Sequence, residues 1–361
     1  MNWINNKFIL LLIVLLSSLI GLIFLEIVLQ IYHKNDRWAD IRTKANVIRN
    51  FQFDYLINGL YESKNNSVKY IRNQYGLRDT CEDPKNIKVL TVGGSTTDQR
   101  YINLGSTFQK VLQDGLKNFW EPKSCVSNAG VDGHSTFGHL YSFENWFPLI
   151  PDLKPKYVLL YIGINDTNLL RNNPNLGFDV NDLSSFKGIL KQSYIIRILY
   201  PAYKKFRYGS ENASMPYLGH FPDNYKNKDY TVSKLNPLTK KLSKKNVDYF
   251  RVRLLKLINK INELGAKPIC VTQPHLFSKI INNKKYGIKD IMGKGFSGID
   301  FDYSLNDLNK AMSEICRPYF INIYAKKFEG NFFYDGIHTT PLGSKFIGKV
   351  LVDYFIKNKL F

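Results

Sequence analysis

Residues 156–163, KYVLLYIG, form an unbroken apolar run closed by glycine. A strand covered on one face alternates apolar and polar residues, whereas an unbroken run needs cover on both, as in a parallel sheet between two helix layers. Similar short runs recur at KVLTV (88–92) ahead of Gly93 and Gly94, at Val126–Asn128, at AKPICVTQP (266–274) and at YFINIY (319–324). Stretches with helical spacing separate them. Residues 105–120 carry Phe108, Val111, Leu112, Leu116 and Phe119; the others are 248–264, ended by Gly265, then 305–317 and a closing helix over 341–357. Strands alternating with helices predict an α/β fold with a doubly wound parallel sheet. Residues 168–245, with their Asn, Pro, Tyr and Lys, break the rhythm. They predict one helix, near 185–206, and read as an insertion over one edge of the sheet.

The N-terminus constrains the chain differently. Phe8–Leu25 holds eighteen residues without a charge, and the apolar character continues past Glu26 to Tyr32. A bilayer core needs ~20 residues, so the run predicts a membrane span over 8–32. A cleavable signal has a shorter apolar core and a small-residue cleavage site, neither of which is found here. A buried soluble helix is disfavoured by length. The predicted organisation is a tail over 1–7, an anchor over 8–32, a juxtamembrane stretch over 33–84 and a catalytic domain over 85–361 that carries the insertion.

Two signals bear on orientation, and they disagree. Lys7 precedes the span, whereas Lys34, Arg37, Arg42, Lys44 and Arg49 come after it, which on the positive-inside rule keeps the adjoining domain in the cytoplasm. That rule weakens ahead of a large folded domain. Cys81 and Cys125 each stand just before a predicted strand. If those strands are neighbours, the two thiols lie at one sheet edge within bridging reach, and a disulfide there implies an oxidising compartment. Cys270, inside a strand, and Cys316, near a helix end, read as buried thiols. The expectation is a single-pass membrane protein with an extracytoplasmic catalytic domain.

The net charge of +20 invites a nucleic-acid reading. Yet residues 201–260 hold fourteen Lys and Arg against four Asp and Glu, half of that surplus. The basicity belongs to one insert, and no nucleic-acid partner is expected. Tyr200, Tyr203, Tyr208, Tyr217 and Tyr225 are interleaved with its lysines. An ordinary solvated surface explains them first; if the insert binds anything, an anionic glycan or lipid headgroup suits it better than DNA.

In open parallel sheets ligands bind beyond the carboxyl ends of the strands. There the chain places Gly93-Gly94-Ser95-Thr96-Thr97, then Asn128-Ala129-Gly130-Val131-Asp132-Gly133-His134, then Gly163-Ile164-Asn165-Asp166, and before the last helix Asp335-Gly336-Ile337-His338. Each segment alone has an ordinary explanation. The Gly-Gly-Ser turn fits neither a phosphate loop nor a dinucleotide fingerprint, nor the G-x-S-x-G elbow, because residue 97 is Thr. Asn165-Asp166 alone reads as a helix cap, and Asp335 with His338 as a surface pair.

Together they supply what acyl transfer from an ester requires: a nucleophile, a base, an orienting carboxylate and oxyanion donors. Ser95 can present its hydroxyl above the sheet and its N–H to an oxyanion; Gly133 can offer a backbone N–H and Asn165 a side-chain amide. Asp335, three positions before His338, can aim its carboxylate at Nδ1 and leave Nε2 for Ser95. Gly94, Thr96, His134 and Asp166 share the same loops and are candidate substrate contacts. His139, His220 and His275 have no companions at metal-ligand spacing, so no metal or other cofactor is expected; His275 comes just after a strand end and is expected near the rim.

The ordered segments GGST, NAGVDG, GIND and DGIH resemble the SGNH hydrolases, also called the GDSL esterase/lipase superfamily. Asn73-Gln74-Tyr75-Gly76-Leu77-Arg78-Asp79 is similar to the lead-in of membrane-anchored bacterial members. The likeness spans roughly residues 70–361 without the insertion. It implies a flavodoxin-like three-layer fold and metal-free ester chemistry, with Ser95 as nucleophile, Gly133 and Asn165 as oxyanion residues, and Asp335 and His338 completing the triad. One departure stands out: Gly94 occupies the place of the aspartate in Gly-Asp-Ser. The expected function is hydrolysis of acyl esters, O-acetyl groups on cell-surface glycans among them. The alternatives are an O-acyltransferase using the same triad and a non-catalytic envelope binding protein.

Overall fold

The computed structural model describes residues 2–33, 45–52, 67–79, 81–167, 193–196, 198–200, 202–203, 206, 230–291, 295–326, 328 and 330–361. The chain divides into two compact units, Met1–Asp40 with Asn181–Pro216, and Ile41–Val180 with Tyr217–Phe361.

In the larger unit five strands make a parallel sheet: β3 (Ile87–Gly93), β4 (Cys125–Asn128), β5 (Tyr157–Tyr161), β7 (Lys267–Val271) and β10 (Phe320–Ile321). Their spatial order is β4-β3-β5-β7-β10, all pairs parallel. In chain order that is second, first, third, fourth, fifth, the flavodoxin-like arrangement, with its switch point between β3 and β5.

The unbroken apolar runs are explained by the helix layers. Val89, Tyr157, Leu159, Tyr161, Ile269 and Val271 face α3 (Phe108–Leu116) and α7 (Pro341–Lys357), which contribute Phe108, Leu112, Ile347, Leu351 and Phe355 to one core. The two helices approach closely because Gly115 lies against Val352 and Gly348 against Val111. On the other side α4 (Thr136–Asn145) packs on α5 (Pro237–Glu263), and α5 on α6 (Gly298–Ile315).

Both α5 and α6 begin earlier than their apolar spacing predicts, at 237 instead of 248 and at 298 instead of 305. The first turns of α5 bury polar residues: Thr239 donates to Asp300 at 2.7 Å, Ser243 to Asp307 at 2.7 Å and Asn246 to the Thr167 carbonyl at 2.7 Å. A buried face that is hydrogen-bonded rather than apolar leaves no hydrophobic period to read. For α6 the signal was in the sequence as a capping box, Ser297 with Asp300.

Two small sheets have no counterpart in the predicted pattern. β1 (Val47–Gln52) and β2 (Ser67–Arg72) pair antiparallel, and Phe51, Val68 and Tyr70 pack with Tyr101, Ile102 and Tyr334. Part of the expected juxtamembrane stretch is therefore built into the larger unit. β6 (Tyr230–Thr231), β8 (Ser278–Ile281) and β9 (Lys284–Ile288) form the other, in order β6-β9-β8. The β8–β9 turn places Asn282 and Asn283 at φ 47° and 60°. Two central residues of positive φ suit the right-handed twist of a hairpin, and asparagine tolerates them.

Cys81 and Cys125 are disulfide-bonded, with Cα atoms 5.9 Å apart, β4 lying beside β3. Cys270 and Cys316, expected as buried thiols, are a second disulfide that ties the end of α6 to β7. Strand interior and helix end are far apart in sequence and adjacent across the layer, so spacing could not pair them.

In the smaller unit, α1 (Asn2–His33) contains one stretch, Lys7–Tyr32, long and apolar enough to cross a membrane. The expected insertion helix near 185–206 falls largely outside the described residues; those described between 194 and 206 are helical.

Candidate active site

Ser95 opens α2 (Ser95–Asp98), directly beyond β3. Two glycines let it reach that position. A Cβ on Gly93 would lie 2.0 Å from Thr97 Oγ1 and 2.4 Å from the Tyr161 carbonyl, so only glycine lets β3 turn tightly beside β5. A Cβ on Gly94 would meet the Asn165 amide nitrogen at 2.5 Å. The departure from Gly-Asp-Ser thus has a local reason: in this backbone a side chain at 94 would take the space that the Asn165 amide occupies.

His338 lies in the turn before α7. Its Nε2 is 2.7 Å from Ser95 Oγ, and its Nδ1 is 2.6 Å from Asp335 Oδ2. The other carboxylate oxygen accepts the backbone N–H groups of Ile337 at 2.8 Å and His338 at 2.7 Å. One carboxylate thereby folds the turn and orients the ring. The Tyr334 ring stacks on the imidazole, centroids 5.6 Å apart at 10° between planes.

This packing sets the electrostatics. Burial disfavours the imidazolium of His338, but the Asp335 carboxylate and its hydrogen bond outweigh burial and hold the pKa above the ordinary 6.5. Asp132 adds to that rise and Arg100 opposes it. Burial pushes the Asp335 carboxyl up; the His338 charge and hydrogen bonds pull harder, and it ends below 3.8. With Nδ1–H donating to a carboxylate, Nε2 is the nitrogen left to accept a proton from Ser95.

The candidate oxyanion donors stand on the neighbouring loops, Asn165 and the His134 carbonyl lying against Gly94. Ser95 N–H stands in the first turn of α2, and among the described residues neither it nor the N–H of Gly133 has a backbone acceptor. Gly133 sits at φ 76°, a left-handed conformation that suits glycine. Asn165, in the turn after β5, donates one amide hydrogen to the His134 carbonyl at 2.8 Å, which fixes the plane of the amide and leaves its second hydrogen available.

The candidate substrate contacts separate. Gly94 is at the site, beside Asn165. Thr96, His134 and Asp166 are buried and turned into the protein. Thr96 Oγ1 accepts from Gln273 at 2.6 Å, and the His134 ring lies 5.9 Å from that of His139. Asp166 accepts from Thr136 N–H and Oγ at 3.1 Å and 2.5 Å and pairs with Arg253 at 3.5 Å, which anchors the start of α4. A short polar residue on a rim loop faces inward whenever a buried N–H beneath the loop needs an acceptor. His275 is also committed: Nδ1 accepts the Phe277 N–H at 3.1 Å, and Nε2 lies 3.4 Å from Asp302. Among the described residues no group of three or more His, Cys, Asp or Glu is placed to hold a metal ion.

Sequence reasoning missed the residues that position the site. Gln273, at the end of β7, accepts the Ile164 N–H at 2.8 Å and donates to Thr96 Oγ1, tying the Asn165 turn to the Ser95 helix. Gln99, at φ 49°, donates to Thr339 at 3.2 Å and to Ser344, and accepts from the Phe108 N–H at 3.0 Å. It links α2 to the turn that carries His338. Gln273 had a signal, a polar residue closing a buried strand; Gln99 had none.

No known family profile matches the chain, and no curated protein matches it. Several solved structures are similar to it. An acetyl xylan esterase, AlAXEase, has TM-score 0.39 and 14% identity, over 74% of this chain and 98% of that one. A lipolytic protein of the G-D-S-L family from Veillonella parvula has TM-score 0.41 and 13% identity, over 75% and 98%. The lipase/acylhydrolase from Enterococcus faecalis has TM-score 0.42 and 14% identity, over 75% and 96%. Four ordered segments meet on one rim of a flavodoxin-like sheet, where Ser95, His338 and Asp335 form one hydrogen-bonded chain and Asn165 stands beside Gly94.

Proposed function

We propose that the protein is an SGNH-type serine hydrolase acting on ester bonds. The observation that carries this reading is the unbroken chain from Ser95 Oγ through His338 to Asp335. Ser95 Oγ attacks the acyl carbon while His338 Nε2 takes its proton. The carbonyl oxygen becomes an oxyanion among the N–H groups of Ser95 and Gly133 and the Asn165 amide. As the C–O bond to the alcohol breaks, His338 returns the proton to the leaving oxygen, and an acyl-Ser95 remains. Water then attacks the acyl carbon, with His338 again as base; collapse releases the acid and restores the serine hydroxyl. Asp335 holds the ring and stabilises the imidazolium in both halves.

Ser95→Ala is expected to abolish turnover of a chromogenic acetyl ester and labelling by a fluorophosphonate, with folding unchanged. Turnover that persists in this variant removes the reading. Product analysis with an acyl donor and an oligosaccharide acceptor separates hydrolysis from transfer to a sugar hydroxyl.

The catalytic unit belongs, in our reading, on the extracytoplasmic side of a membrane spanned by residues 8–32. Its two disulfides support this, because such bonds persist in oxidising compartments. A site held there fits acyl esters of the cell surface, including O-acetylated glycans. Thiol-alkylation of intact cells tests the placement: both cystines should resist alkylation until reduced.

A further inference from the structure

Glu26 is the one carboxylate within the apolar span, and its oxygens accept Ser193 Oγ at 2.8 Å, the Tyr194 N–H at 2.9 Å and the Ile195 N–H at 3.1 Å, besides Gln30 at 3.0 Å. Ser193 to Ile195 open the helical stretch of the insertion. A bilayer core takes ~20 residues; begun at Phe8, it reaches Ile27, so Glu26 falls at the far boundary. Two difficulties meet there. A carboxylate at that depth needs donors, and the first N–H groups of a helix need acceptors where water is scarce. Glu26 and the start of the insertion helix satisfy each other. In water neither would need the other.

Beyond Ile195 the insertion helix has the character of an interfacial segment. Ile198, Leu199, Tyr200, Tyr203 and Phe206 are exposed, Phe206 to 92%. In the sequence Arg197, Lys204, Lys205 and Arg207 are interleaved with them. Aromatic and aliphatic side chains among lysines and arginines are the composition of helices that lie in the plane of a membrane, apolar side chains in the acyl boundary and cations among anionic headgroups. Both the contact with the anchor and the charge point to lipid as the cover for this surface.

We propose that the residues described between Ser193 and Phe206 make a second membrane contact, lying at the bilayer surface, docked on the anchor through Glu26 and bound to anionic lipid. The proposal rests on residues 8–32 spanning the membrane.

The test uses the full chain in vesicles of phosphatidylglycerol and phosphatidylcholine. All four native cysteines are in disulfides, so Phe206→Cys and Phe24→Cys each accept a single environment-sensitive fluorophore. Spin-labelled lipids are expected to quench both positions, 206 more strongly from a shallow label than from a deep one. Quenching at 24 with a solvent-like signal at 206 overturns the proposal and leaves the anchor standing. No quenching at either position removes the anchor and the proposal with it. Adding Glu26→Leu to the Phe206→Cys chain is expected to reduce quenching at 206 about twofold or more, with turnover of a soluble ester unchanged. Undiminished quenching in that variant overturns docking through Glu26.

Discussion

The two halves of the site are held in different ways. Around Ser95, α2 rests on a buried charge network. Asp98 pairs with Arg72 at 2.7 Å and accepts from Tyr70 at 2.8 Å; Arg72 also reaches the Gly76 and Gly130 carbonyls at 2.6 Å and 2.5 Å. Arg78, fully buried, donates to the carbonyls of Asp98, Gln99 and Ile102 and lies over the Tyr70 ring. His338 stands in a lighter frame: one carboxylate, a stacked tyrosine whose N–H donates to the His338 carbonyl at 3.0 Å, Gln99 on the adjoining Thr339, and the Gly336 carbonyl accepting the Leu276 N–H at 2.8 Å. Ser95 is braced from beneath by a buried network of arginines and an aspartate. The base is positioned by a group that also tunes its charge. Damage to the first should appear mainly as lost stability, damage to the second as lost rate.

The largest expected effect tests the lighter half. Asp335→Asn should lower kcat by ~10⁴ and leave the fold intact, because the imidazole loses both its orientation and its counter-charge. Its pH profile sharpens the point. On the proposed mechanism activity needs neutral His338, and its raised pKa should place the acid limb of kcat/KM above that of an ordinary imidazole. The limb should move down when the carboxylate is removed, because the imidazolium is then less favoured. A limb that stays in place contradicts the role given to Asp335.

Next comes the braced half. Arg78→Met should destabilise by ~3–5 kcal/mol, since the buried carbonyls of Asp98, Gln99 and Ile102 lose their donor. Whatever folded enzyme remains should keep most of its kcat, measured against active sites titrated with a fluorophosphonate. A matching fall in kcat per titrated site would erase the distinction between the halves.

Each disulfide closes a loop of similar length, with separations of 44 and 46 residues. Loop entropy assigns ~4 kcal/mol to such a closure, of which about 2–4 is usually measured. Cys81→Ser with Cys125→Ser should therefore lower the denaturation midpoint without moving the acid limb. The smallest effect is expected at Gln273, which joins the two halves. Gln273→Leu should lower kcat ~10-fold with KM nearly constant, as the Asn165 turn loses its register with Ser95. Unchanged kcat makes Gln273 merely structural.

Local residue patterns already held the alternation of strand and helix, the long apolar helix near the N-terminus and the four rim segments. Each depends on short-range chemistry: unbroken apolar runs, glycines at strand ends, and Asp335 three positions from His338. The polar faces of α5 and α6, the partner of Cys270 and the inward turn of Asp166 could not be read that way. Their partners, among them Asp300, Cys316 and Arg253, lie tens of residues away, and a buried hydrogen bond or disulfide leaves no periodicity in either segment.

The chain taken as a string of residues thus establishes which chemical groups are present and in what order they meet the rim, because strand direction and loop position are set by nearest-neighbour physics. Only folding decides which of those groups face one another. Ser95 and His338 are 243 positions apart and 2.7 Å distant because the β3 turn and the turn before α7 converge, and Gln99 and Gln273 hold them there through contacts that no local pattern encodes.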